Sequence, residues 1–205
     1  MKRLFSLLLL CSILVSFDKD VPKVLLYIEG ESMELEYMLI HEVNKMREIL
    51  KQSGFEVTIA TISGEILKTD SVTVKPDLKL TDVNIADYAG FIMPCMAVSD
   101  TIITSEEKNS VRKAVNSGKP IAAQLGAVWI LAKAGVLNSK KYALFEDPSM
   151  ASEFKNAIYS GRGVVQDGLI ITSGTCPWMA KESGYPDGTA MLTQTLIDAI
   201  KAKTK

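Results

Sequence analysis

Five short apolar runs, each ended by a turn residue or a polar stretch, restrict what this chain can become. They are residues 23–28 (KVLLYI), 55–61 (FEVTIAT), 88–93 (YAGFIM), 120–123 (PIAA) and 169–172 (LIIT). Runs this short and this continuously apolar read as strands buried on both faces. The segments between them carry helical periodicity. Leu35, Met38, Leu39, Val43, Met46, Ile49 and Leu50 recur at three- and four-residue spacings, the signature of one helix face, and Gly54 stops the pattern. Thr104 with Glu107 three residues on is a capping box, predicting a helix to about Ser117 before Gly118. Residues 126–134 predict a further helix closed by Gly135, and residues 189–201 a last amphipathic one. Strands alternating with helices imply an α/β fold with a mostly parallel sheet.

The remaining segments are less regular. Residues 62–84 read as a polar connection in which residues 72–74 form an edge strand or hairpin arm. Residues 142–145 predict a strand, and residues 146–162 a short helix and a loop. Residues 164–165 and 169–172 flank Asp167-Gly168 as a hairpin-like pair. Ligands of parallel α/β sheets sit beyond the carboxyl ends of the strands. Function is therefore expected in residues 29–34, 94–98, 124–127 and 173–178.

Composition narrows the chemistry. The chain has 205 residues, enough for one well-buried core without disulfide or metal. A formal charge of −1 leaves no basic excess for nucleic-acid binding. The single histidine, His41, excludes a multi-histidine metal site within one chain, and no metal or cofactor is expected. His41 falls off the apolar stripe and reads as a surface residue. Residues 1–17 combine a basic start, Met1-Lys2-Arg3, with an uncharged leucine-rich run too short to span a bilayer. This pattern reads as an export signal, which makes the mature protein periplasmic or secreted. A lipid anchor at Cys11 is disfavoured by the large Leu10 before it. The mature chain would keep two cysteines, Cys95 and Cys176.

The segment from Gly118, GKPIAAQLGAVWILAKAGVL, resembles the nucleophile-elbow region of the ThiJ/PfpI family, within the class I glutamine amidotransferase-like superfamily. GFEVTIAT after the first helix, DYAGFIMP, and DGLIITSG before the terminal helix match it in order and spacing. The resemblance covers residues 22–203 as one domain. It implies a flavodoxin-like three-layer α/β/α sandwich and a homodimer. It also implies a cysteine on a strained strand-to-helix turn, a glutamate from the first helix, and an assisting histidine. Aligned without gaps, Leu125 takes the nucleophile's place and Gly126 that of a frequent histidine. A later histidine position falls near Phe145. The glutamate maps to Glu42, which also lies inside the apolar face of its helix. Burial there would raise its carboxyl pKa.

In the family the turns carrying Cys95 and Cys176 border the nucleophile pocket. The two could form a disulfide, one could be a relocated nucleophile, or both could be small buried residues. Trp178 could wall the pocket or simply pack. These readings lead to an exported, catalytically degenerate family member, binding a small molecule, a small anion or a partner. Its pocket would comprise Glu42, Cys95, Gln124, Leu125, Gly126, Phe145 and Cys176. The alternatives are a thiol-dependent hydrolase or glyoxalase-like enzyme using Cys95 or Cys176 with Glu42, and a structural envelope protein.

Overall fold

The computed structural model describes residues 21–96, 103–148 and 150–203; the expected export signal and Cys11 lie outside them. The five apolar runs form the core of one sheet. β1 (Lys23–Tyr27), β2 (Glu56–Thr61), β6 (Gly90–Met93), β7 (Ile121–Gln124) and β11 (Ile170–Ser173) all run parallel. Three small strands precede β6: β3 (Leu67–Lys68) and β4 (Thr73–Val74) make a separate hairpin, and β5 (Leu78–Lys79) pairs with β2 at the sheet edge. β10 (Val164–Asp167) closes the other edge antiparallel to β11. The order is β10-β11-β7-β6-β1-β2-β5.

Alternate side chains of each strand enter opposite cores. Val24, Leu26, Ile28, Ile92 and Ile171 meet α2 (Asn44–Gln52) and α6 (Thr189–Lys203) through Met46, Leu50, Leu192 and Ile197. Leu25, Tyr27, Phe91, Met93 and Ile121 meet α3 (Ser105–Asn116) and α4 (Ala127–Lys133) through Val111, Ile130 and Leu131. The result is the three-layer α/β/α sandwich expected. Gly90 lets α6 approach closely, since a Cβ there would stand 2.8 Å from Ile200 Cδ1. The capping box of α3 forms as predicted. Its Glu107 is also buried and accepts a hydrogen bond from Tyr27 Oη at 2.9 Å, which ties α3 to β1.

The structure corrects four local expectations. The first helix is not uniform: α1 (Leu35–Met38) and α2 are joined by a π-helical turn, Leu39–Val43. The predicted strand at 142–145 is only β8 (Lys141–Tyr142), because Leu144 N–H turns away to Gly161 O. β8 pairs with β9 (Ile158–Tyr159), an unforeseen strand inside the segment read as helix and loop. The segment after Cys176 is a helix, α5 (Pro177–Ser183), where no element was expected.

The strand order reverses between β1 and β6: β2 follows β1 on one side, while β6 lies on the other. Beyond the carboxyl ends at this switch point lies the expected binding crevice.

Candidate active site

The loops after β6, β7 and β11 converge there with the first helix, α4 and α5 on a cavity of about 340 Å³. Its walls include Glu42, Cys95, Leu125, Gly126, Cys176 and Trp178, together with Tyr37, Met38, Met96, Trp129 and Met179. The π turn delivers Glu42. Within it Leu39, Glu42 and Val43 are buried while His41 is exposed against Tyr37, with ring centroids 4.2 Å apart. π turns are rare and cluster at functional sites.

Glu42 is 1% exposed, and its Oε1 accepts a hydrogen bond from Cys95 N–H at 2.6 Å. Burial holds its carboxyl well above the usual carboxylate range. The neighbouring Cys176 and Asp187 add to this, and the Cys95 N–H only partly opposes it. The site therefore favours a neutral carboxylic acid.

β7 runs into α4 through Leu125 and Gly126. Leu125 adopts φ +42°, a left-handed conformation that costs a non-glycine residue about 1 kcal/mol or more. Its N–H is held by Ser173 O at 2.8 Å. Gly126 is required by contact rather than by φ. A Cβ there would lie 1.8 Å from Met96 O, in the segment that carries Cys95.

Cys95 and Cys176 are both free thiols, line the same cavity and interact with one another. Cys95 is half-buried, and donating to the Cys176 sulfur pushes its own thiol well up, as do burial and the nearby Glu42. Cys176 is buried at the start of α5. The neighbouring Cys95 thiol brings its thiol down to about 7 against the opposing effect of burial. One cysteine is thus biased to thiolate and its partner to thiol.

The close approach at Gly126, the strained strand-to-helix turn and the buried glutamate stand together at the carboxyl ends of a parallel sheet. The DJ-1/PfpI family pattern matches residues 22–181. The chain belongs to the DJ-1/PfpI family. It is 30% identical over 156 residues to a protein of Archaeoglobus fulgidus, covering 74% of this chain and 88% of that one. It is 31% identical over 110 residues to a deglycase of Pyrococcus horikoshii, covering 53% of this chain and 65% of the relative. The deglycase PfpI of Pyrococcus furiosus is 32% identical over 94 residues, 45% of this chain and 57% of its own length. Among solved structures, a ThiJ/PfpI domain protein of Brachyspira murdochii superposes with a TM-score of 0.71 at 13% identity, over 88% of this chain and 96% of that chain. Drosophila melanogaster DJ-1beta gives 0.59 at 25% identity, over 89% and 97%.

Two residues expected in this DJ-1/PfpI pocket do not line it. Gln124 is fully buried beneath the cavity, where its Nε2 donates to Thr175 O at 2.8 Å and to Thr189 Oγ1 at 3.1 Å. It anchors the loop that presents Cys176. Phe145 faces a separate depression shared with Leu125, Trp129 and Met179. Its ring stacks on Arg162, whose guanidinium carbon lies 4.4 Å from both the Phe145 and Tyr185 ring centroids. Both residues sit near a strand end, but sequence does not say on which side of the backbone the crevice opens. Conversely Tyr37, Met38 and Trp129 escaped the sequence reading. α5, which brings Trp178 and Met179, had a legible signature in Pro177 at its start and Gly184, at φ +73°, just past its end.

Proposed function

We propose that this protein is a thiol-dependent enzyme in which Cys176 is the nucleophile and Glu42 the proton donor. Its substrates are small, weakly polar molecules with a reactive carbonyl. The supporting observation is the Cys176 sulfur. It lines the cavity beside the Cys95 thiol, and its own thiol is brought down to about 7, chiefly by that neighbour. Leu125 occupies the turn where the family resemblance places a nucleophile and brings no reactive atom. The thiol at a different strand end supplies one. The thiolate adds to the carbonyl carbon, and the oxygen takes its proton from the Glu42 carboxyl, giving a hemithioacetal. A carboxyl held neutral by burial is the form that can donate. The carbonyl substrate class follows two relatives named deglycases.

The test is iodoacetamide labelling of native protein against pH, resolved by peptide mapping, alongside turnover of a small α-oxoaldehyde. Cys176 is expected to label with a midpoint near 7, and Cys176→Ser to abolish turnover. A midpoint near the free-thiol value of about 8.5, or labelling only after unfolding, would favour the catalytically degenerate, ligand-binding alternative.

A further inference from the structure

A single nucleophile leaves Cys95 without a role. Its thiol nevertheless lines the same cavity as Cys176 and interacts with it, and its backbone N–H is clamped to the Glu42 carboxyl at 2.6 Å. Two thiols in contact, opening on a cavity of about 340 Å³, with a buried carboxyl bonded to the backbone of one of them, form a unit with its own chemistry. We propose that Cys176 and Cys95 are a redox-active dithiol that reduces a small, weakly polar disulfide by thiol–disulfide exchange, Cys176 attacking and Cys95 resolving. This rests on the reading of Cys176 as the nucleophile, and it assigns Cys95 and a second substrate class to the same cavity.

The exchange balances without any further reagent. The Cys176 thiolate attacks one sulfur of the substrate disulfide. The substrate S–S bond breaks, a mixed disulfide forms on Cys176, and the first half of the substrate leaves as a thiolate. The Cys95 thiol then loses its proton and attacks the Cys176 sulfur, which releases the second half and closes a Cys95–Cys176 disulfide. The substrate is reduced to two thiols, and the two cysteines are oxidised by two electrons. The asymmetry of the pair sets the order. The interaction lowers the Cys176 thiol and raises that of Cys95, so Cys176 carries the thiolate and attacks first. Cys95 holds its proton until Cys176 is spent in the mixed disulfide, and only then loses its acceptor. The walls define the substrate. Tyr37, Met38, Trp129 and Trp178 line the cavity and favour a compact disulfide with little charge.

Reduced full-length protein is mixed with bis(2-hydroxyethyl) disulfide, and the products are mapped by mass spectrometry without reduction. Released 2-mercaptoethanol is counted separately. The expected result is a Cys95–Cys176 bond with two thiols released per protein. Cys95→Ser should stop at a mixed disulfide on Cys176 with one thiol released, and Cys176→Ser should cut release at least tenfold. Wild-type protein that releases one thiol and retains the mixed disulfide overturns the role of Cys95, as does a disulfide that joins any other pair. Iodoacetamide labelling separates the two readings. Fast labelling of Cys176 without disulfide formation refutes the dithiol alone, whereas Cys176 that neither labels nor exchanges refutes both.

Discussion

Replacing Glu42 with glutamine should remove a pH dependence from the stability of this protein. The carboxyl is 1% exposed and its pKa is held well above normal by burial, while in the unfolded chain it titrates near the unperturbed value of about 4.3. A carboxyl with a raised folded-state pKa stabilises the fold fully below its unfolded pKa. That contribution is lost as pH rises toward the folded-state value, because only the unfolded chain releases the proton. The slope is about 1.4 kcal/mol per pH unit. Glutamine keeps an oxygen to accept the Cys95 N–H and has no proton to lose. Urea unfolding of both proteins between pH 5 and 6.5 isolates the effect, since the other titrating groups are common to the two. Wild-type stability should fall with rising pH relative to Glu42→Gln across that interval, at up to about 1.4 kcal/mol per pH unit. Parallel profiles would mean that Glu42 is ionised in the folded protein, and the proton-donor role would fall with it.

Gly126→Ala should destabilise the fold by about 3 kcal/mol, at the upper end of overpacking costs. Its Cβ would meet Met96 O at 1.8 Å, and displacing that segment should also slow Cys176 labelling by disturbing Cys95; an unchanged urea midpoint would contradict the contact. Phe154→Ala empties a site between Trp129 and Tyr142, whose ring centroids lie 4.8 and 4.9 Å away, and should cost about 3–5 kcal/mol in chemical denaturation. Thr104→Ala removes the cap of α3 and should cost about 1 kcal/mol, visible as a small drop in melting temperature.

The architecture was legible in the chain because burial writes itself into pattern. Strands covered on both faces must be continuously apolar, so the runs at 23–28, 88–93 and 169–172 announce a parallel sheet before any coordinate is known. The inward bias of Glu42 was legible for the same reason, as a lone carboxylate within an apolar helical stripe. So were the α3 capping box and the turn at Leu125, the latter through family resemblance. What only the tertiary structure decided lies where long-range contact overrides local preference. The π turn at Leu39–Val43 is one such place, and no periodicity marks it. The side on which a strand-end residue emerges is likewise a property of the assembled sheet. Gln124 thus became an anchor below the site, while Phe145 turned to Arg162. The contact between Cys95 and Cys176 is the clearest case. Each sits after a different strand, and only the parallel ordering of β6, β7 and β11 brings the two loops together. Their opposed proton affinities arise from that contact, because a hydrogen bond between two thiols stabilises the charge on one by holding the proton on the other.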